Sequence, residues 1–469
     1  MKKTFRFLSM AALLVVGAIM TGCSNEDNID NQQPTNNDNV VTLTATVSLD
    51  GGAQTRAITP STGVKTFESG NQIAVIYKNT SSQTVKAVST DFTPTGDNTK
   101  ATFTVTLTNP ASNSAVRYIY PATMAKDVTT DATITSDDAT IDYAGLLSNQ
   151  NGNLTNLGIN YDLAVFDGSL SGTDLPASAS MLNPLTICAF KLTDSGNSDA
   201  DITNTVTSLN VSDGTNTYHV TPSSQSPIYV AMKPASGNIA FTARTSDSKT
   251  YFKTATGTSL VASKLYTNIT VSMQELALGD VFCSDGSVYA TKDEATTAEK
   301  TPVAKIAYLG SDAETSTTYN HGLALALSDV SSTQTWCSQT SNTCLTTQYS
   351  SASDAKGDMA GLANTDALVN QTGHTHAAAS AARNYKYTST ATAGAHPTGT
   401  SAWFLPSAGQ WDKMATKAGG YDKLGLKSRL YWSSSERDAF SAWDFYSDDG
   451  YWDLDGKVVD YLVRSCLAF

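Results

Sequence analysis

The last 39 residues constrain this chain most. They read YWSSSERDAFSAWDFYSDDGYWDLDGKVVDYLVRSCLAF, Tyr431 to Phe469. A frame recurs through them: Tyr431, Trp432, Ser433, Ser434, Glu436, Ala442, Trp443, Phe445, Gly450, Trp452, Lys457, Val463, Arg464, Leu467, Ala468 and Phe469. Between the frame residues sit side chains that share no chemistry, from Arg437 to Leu462. An amphipathic strand sets an apolar face against a polar one with period two. Here the frame is regular and the intervening positions are arbitrary. The pattern implies an aromatic scaffold that presents a surface of free content. A plainer reading stays open at this point: an ordinary aromatic core with solvated Asp-rich turns.

That frame resembles the ending of variable proteins from diversity-generating retroelements, and of related C-type-lectin-like domains on gut-bacterial surface proteins. In that family, adenines in asparagine codons of a template are randomised. An AAY codon then becomes NNY, which cannot encode Glu, Lys, Gln, Met or Trp. None of these five occurs among the intervening residues, whereas Trp432, Glu436, Trp443, Trp452 and Lys457 all hold frame positions. The resemblance implies a ligand-binding face built from Arg437, Asp438, Phe440, Ser441, Asp444, Tyr446, Asp448, Asp449, Tyr451, Asp453, Leu454, Asp455, Val458, Val459, Asp460 and Leu462. Aromatic anchors among aspartates suit a protein epitope or a cationic ligand. Tyr446 and Tyr451 would add rigid contact area at low entropy cost.

The chain has 469 residues and a formal net charge of −13. Two to four domains are expected at this length. Nucleic-acid binding needs a basic footprint, so the charge argues against it. Lys2, Lys3 and Arg6 form a basic start, and Leu8 to Met20 an apolar run too short to span a bilayer. Met20-Thr21-Gly22-Cys23 reads as a lipobox, which makes 1–23 a lipoprotein signal peptide and Cys23 the lipidated residue. Residues 24–39 are rich in Asn, Asp and Gln and cannot build a core, so they read as a tether.

Val41 to Leu49 alternates strictly and predicts a half-buried strand. Gln54-Thr55-Arg56-Ala57 and the run Asn71 to Tyr77 follow. Lipobox, tether, first strand, Thr-Arg-Ala step and Gly-Asn-Gln-Ile-Ala-Val strand together resemble the fimbrillin family of bacterial pilins. In that family a trypsin-like protease cuts after the arginine. The first strand is then released and its groove takes a strand from another subunit. The resemblance implies cleavage between Arg56 and Ala57. The bare residues allow Arg56 to be merely an exposed arginine in a turn.

Further strands are expected at Ala101 to Leu107 and Ala115 to Tyr120, where Pro121 stops the ladder. They place a first β-sandwich at 40–175. Short strands at Thr186 to Leu192, Val206 to Val211, Ile228 to Met232, Ile239 to Ala243 and Leu265 to Val271 place a second at 176–275. Cys188 lies mid-strand and reads as a small packed residue. Residues 276–469 form the third domain. It opens on a hairpin with an Asp-Gly turn, Leu278 to Tyr289. Trp403-Phe404-Leu405-Pro406-Ser407-Ala408-Gly409-Gln410-Trp411 is a motif shared with the lectin-like family. Its Pro and Ser start a helix while its Trp and Leu enter the core. The expected fold is mainly β: two tandem transthyretin-like β-sandwiches followed by an α+β C-type-lectin-like domain.

Export permits disulfides: Cys337 and Cys344 could close a short loop, and the lectin-like resemblance implies paired first and last strands, on which Cys283 and Cys466 could bond. His374, His376 and His396 could be read as a metal cluster, but three or four converging ligands are required. The segment looks like an exposed insertion, so no metal and no cofactor are expected. The usual calcium tripeptides of lectins are missing from the sequence, as are catalytic motifs; no enzymatic activity is expected.

The combined reading is a cell-surface lipoprotein pilin acting as a fimbrial tip adhesin. The chain ends in a globular domain, which implies that it accepts a donor strand and does not supply one. Expected partners are other pilin subunits by donor-strand insertion, a protein or glycan ligand on host or neighbouring bacteria, and the outer membrane through lipid on Cys23. The competing reading is a membrane-anchored structural or binding lipoprotein that never joins a fibre.

Overall fold

A computed structural model describes residues 39–49, 67, 69–95, 99–161, 163–312, 314–339 and 341–469. Cys23, Arg56 and Ala57 lie outside the described residues, as do the expected signal peptide and nearly all of the expected tether. The fold is mainly β, and its strands collect into separate sheets over successive cores.

The expected first strand forms as Val40–Leu49. It lies inside a four-stranded sheet, antiparallel to Lys100–Thr108 on one side and parallel to Ser178–Met181 on the other. Ala45 and Val47 face the core opposite Phe103 and Ala101. Thr42, Thr44 and Thr46 face outward, each with its hydroxyl 3.1–3.3 Å from that of Thr106, Thr104 or Thr102. A strand with one covered face alternates in this way. The second sheet of this region contains Ala74–Lys78 and Ala115–Tyr120, and it is covered on both faces. Val75, Tyr77, Val116 and Tyr118 join the first core, while Ala74, Ile76 and Ile119 join the next. The next core also receives Ile141, Tyr143, Leu146 and Leu157 from short helices between 137 and 160 that the sequence pattern did not announce. Arg117 is buried there against Asp167 and Asp137, at 2.6 and 2.8 Å. The first core draws on Leu175, Ala179 and Met181, so it runs past the boundary expected at 175.

The five strands expected between 186 and 271 are present, joined by Thr217–Val220 and Thr250–Leu260, which were not expected. Cys188 is buried mid-strand, and burial pushes its thiol up to about 12. Ala240 and Phe252 of this sheet pack with Phe282, Trp403 and Phe469. His321 sits at the same junction, with Nδ1 3.1 Å from Asn210 Nδ2 and Nε2 2.9 Å from Ser208 Oγ.

The Asp-Gly hairpin forms from Val281–Cys283 and Val288–Tyr289. It continues into a five-stranded sheet with Pro302–Leu309, Gly322–Ala326 and Cys466–Ala468, in that order. Two strands therefore separate Cys283 from Cys466. The expected pairing of first and last strands is not made, and both thiols are free and buried. Cys337 and Cys344 are likewise free, with Sγ atoms 3.9 Å apart. The tryptophan motif behaves as its residues require. Ser407 and Gln410 close a capping box on the helix Ala408–Ala418. Trp403, Leu405 and Trp411 are fully buried. Gly409 has no alternative, because a Cβ there would lie 2.4 Å from the carbonyl oxygen of Asp358.

Candidate ligand-display face

Three antiparallel strands carry the terminal frame: Leu430–Glu436, Ser441–Tyr446 and Trp452–Gly456, with Ser441–Tyr446 in the centre. Both faces of the first two strands are covered. Tyr431, Trp443, Phe445 and Trp452 enter one core with Trp411, and Trp432 and Ala442 enter another with Trp336 and Val463. The three frame indoles each have a carbonyl or hydroxyl to donate to, whereas the buried Trp411 Nε1 has no partner among the described residues. Trp432 reaches Gln334 O at 2.8 Å, Trp443 reaches Tyr349 O at 2.9 Å, and Trp452 reaches Tyr421 Oη at 2.8 Å. Buried Trp usually finds such a partner.

The charged frame residues are buried as well. Glu436 and Lys457 form an ion pair with neither side chain exposed. The Glu436 carboxylate also accepts from the amides of Cys344 and Leu345, at 2.8 and 2.7 Å. Lys457 donates to Asn342 O at 2.6 Å and lies 5.1 Å from the Trp336 ring centre. Arg464 pairs with buried Asp329 at 2.6 Å. A buried pair with its remaining valences filled fixes geometry more than it adds stability. Here it ties the loop near 342–345 to the base of the hairpins.

The intervening residues sit mostly where that packing ends. Phe440, Asp448, Asp449, Tyr451, Asp453, Leu454, Val458, Val459 and Asp460 are exposed. Arg437, Asp438, Tyr446, Asp455 and Leu462 are half-buried. Among the described residues twelve large apolar side chains are exposed, and five of them are Phe440, Tyr451, Leu454, Val458 and Val459. The other seven are spread over the rest of the described chain, so exposed apolar side chains are concentrated in this segment. Phe440 and Tyr451 reach 63% each. The turns that hold them are locally fixed. Asp438 Oδ1 accepts from the amides of Phe440 and Ser441 at 2.8 and 2.9 Å. Gly450 turns the other hairpin at φ 70°, and a Cβ there would meet the Tyr421 ring at 2.3 Å.

Two of the expected face residues are corrected by the structure. Ser441 and Asp444 lie on the central strand and are buried. With both faces of that strand covered, a side chain there has no outward direction. Asp444 is 0% exposed and neither carboxylate oxygen has a hydrogen-bond partner among the described residues. Burial first, then the charges of Asp455 and Asp453, push its carboxyl up to about 8.

The exposed set divides into two ends joined by an edge. One end holds Arg437, Asp438, Phe440, Val458 and Val459, linked by the amide of Lys457 donating to Phe440 O at 3.1 Å. The other holds Tyr446, Asp448, Asp449 and Tyr451. The edge strand Trp452–Gly456 separates them by about 16 Å, at a rise of about 3.3 Å per residue. Asp453 and Leu454 are exposed along it. The surface is acidic and studded with apolar side chains, which suits a cationic or mixed polar and apolar partner.

No family model matches this chain, and no curated protein matches it. Solved structures do show similarity. A fimbrial protein from Bacteroides ovatus is 15% identical, covering 92% of this chain and 100% of its own, with a TM-score of 0.31. A fimbrial assembly protein from Parabacteroides distasonis is 8% identical, covering 53% of this chain and 98% of its own, with a TM-score of 0.28. The tip fimbrial protein Mfa3 from Porphyromonas gingivalis, with a C-terminal truncation, is 10% identical over 46% of this chain and 81% of its own, with a TM-score of 0.22. At these scores the likenesses support no conclusion about this chain.

Proposed function

We propose that this chain is a surface-exposed fimbrial adhesin that binds its target through the rim of its terminal hairpins. The observation that carries this is the division between buried frame and exposed intervening residues. A packed aromatic framework holds its geometry while the loops and edge strand around it present unrelated side chains. Fourteen of the expected face residues remain available: the sixteen less Ser441 and Asp444.

The first strand supports the assembly half of the reading. Val40–Leu49 fills a slot between two strands and covers Phe103 and Val105. Its removal after a cut at Arg56–Ala57 would expose both neighbouring edges and part of the core. An open slot of this kind is repaired by a strand from another subunit. The last strand, Cys466–Ala468, is hydrogen-bonded into its own sheet and Phe469 is buried, so this strand is not free for donation. On this reading the first fimbrillin-type sandwich runs from 40 through Met181, the second follows to 275, 276–469 is a lectin-like binding module, and Cys23 carries lipid during export to the outer surface.

The test uses the full chain with Phe440→Ala, Tyr451→Ala and Val458→Ser together. Adhesion of cells carrying this variant should fall at least about tenfold, with the thermal unfolding curve unchanged, as expected when anchor residues and not scaffold residues are removed. Unchanged adhesion sinks the display reading. Intact mass of surface-extracted protein tests assembly separately. A chain beginning at Ala57 supports the fibre, and one beginning at lipidated Cys23 supports a subunit that stays on the membrane.

A further inference from the structure

Four side chains from two separate segments converge beside the hairpins. Cys337 and Cys344 follow the short strand Gln334–Thr335, and His374 and His376 precede the helix Ala377–Arg383. One ligand atom from each lies within 4.8 Å of all the others. The two sulfurs are 3.9 Å apart and unbonded. Two metal–sulfur bonds of about 2.3 Å at a tetrahedral angle set the sulfurs about 3.8 Å apart. A disulfide would set them about 2.05 Å apart.

The ring nitrogens point to the same chemistry. His374 Nε2 and His376 Nδ1 are buried with no hydrogen-bond partner among the described residues. Buried polar atoms are almost always partnered, so two such nitrogens beside two thiols call for a ligand that is not a protein group. The other nitrogen of His376, Nε2, lies 2.7 Å from Gln371 Oε1. An amide oxygen only accepts, so Nε2 carries the proton and the Nδ1 lone pair is left for coordination. Metal-bound histidines are oriented in this way. The amide of Gln339 donates to Cys337 Sγ at 3.4 Å, and Lys457 Nζ lies 3.9 Å from Cys344 Sγ.

We propose that Cys337, Cys344, His374 and His376 form a Cys2His2 site for one divalent cation of the zinc class. Soft sulfur and imidazole donors select zinc over calcium or magnesium. Binding releases two protons, one from each thiol, and two thiolates balance the charge of the cation. Four protein ligands complete a tetrahedron and leave no position for substrate, which makes the site structural. It staples two loops to the frame. The amide of Cys337 donates to Lys457 O at 3.0 Å, that of Ser338 donates to Thr375 O at 2.8 Å, and the amide of Cys344 donates to Glu436. The cation would thus brace the buried Glu436–Lys457 pair from below. This assignment replaces both the Cys337–Cys344 disulfide and the absence of metal expected from sequence. His396 takes no part, since its Nδ1 lies 3.2 Å from Thr400 Oγ1 in a separate turn.

The experiment takes the full chain, reduced and stripped by a chelator, and returns Zn2+ or Co2+. The expected result is one zinc per chain by elemental analysis, a raised unfolding midpoint, and a cobalt spectrum with the intense visible bands and thiolate charge transfer of a tetrahedral sulfur-containing site. His374→Gln and Cys344→Ser should each weaken binding about tenfold or more, and Cys344→Ser should also cut the charge-transfer intensity. If Cys344→Ser does not fold, the strip-and-refill cycle and His374→Gln still decide. A weak octahedral cobalt spectrum, full zinc retention in the variants, or a Cys337–Cys344 disulfide in protein taken from the cell surface would overturn the assignment.

Discussion

The strands Val40–Leu49 and Ser441–Tyr446 both lie inside their sheets, yet they treat sequence change in opposite ways. The first is covered on one face, so its threonines point away from the core and every second residue is free to vary in size. The second is covered on both faces, so Ser441 and Asp444 are as enclosed as Trp443 and Phe445. Tolerance in the terminal module therefore does not follow every second residue. It follows position in the sheet: the exposed positions of the turns and edge strand have room for other side chains, and the central strand has none.

The sharpest test of that contrast is the buried charge pair. Glu436→Gln should destabilise the chain by about 3–5 kcal/mol in denaturant unfolding, because Lys457 stays buried without its partner. Asp438→Asn at the rim, where Arg437 and Asp438 are partly exposed, should cost under about 1 kcal/mol. Equal costs would dissolve the distinction between frame and rim.

Aromatic truncation gives the next largest separation. Trp443→Ala and Phe103→Ala should each cost about 3–5 kcal/mol, one from each region, while Phe440→Ala should stay within about 0.5 kcal/mol. A large loss for Phe440→Ala, read by thermal unfolding, would place it in the scaffold.

Asp444 supplies a pH signature. Its carboxyl sits at about 8 in the folded chain against an ordinary value of 3.8. The folded state then holds a proton that the unfolded state has lost, so stability falls as pH rises from about 4 to about 8. Asp444→Asn should remove that slope and raise the unfolding midpoint at pH 8. An unchanged slope means that Asp444 is solvated. His321 runs the other way: burial first, then His219 and Arg244, hold it down to about 3, so its contribution is lost as pH falls from about 6.5 toward 3.

The smallest effects belong to the edge. Exchanging Asp453 or Leu454 for Asn, Ser or Tyr should change stability by no more than about 0.5 kcal/mol. Ser441→Tyr, one strand inward, should cost about 1–3 kcal/mol through overpacking.

Much of the molecule was legible in order along the chain. Val40–Leu49 follows from strict alternation, the Ala408–Ala418 helix from its capping residues, and the 281–289 hairpin from Asp285-Gly286. The helices between 137 and 160 were not legible, because they are short and held by tertiary contacts such as Arg117 with Asp137. The buried frame of the terminal module was legible from residue type, since tryptophans and paired charges seek burial, whereas the face positions came only from the family resemblance. Ser441 and Asp444 were misread, because one strand's pattern does not report how many of its faces are covered. The Cys2His2 cluster was missed because its ligand pairs lie about thirty residues apart, and neither pair alone is a site.

By itself the sequence determined which tryptophans and paired charges pin the terminal module, because burial preference is carried by each side chain. Only the tertiary structure decided that the exposed intervening residues gather at two hairpin ends and one edge, that Asp444 is enclosed, and that two cysteines meet two histidines. Those outcomes depend on which strands become neighbours and which faces they cover, and such contacts join residues whose separation along the chain carries no local signal.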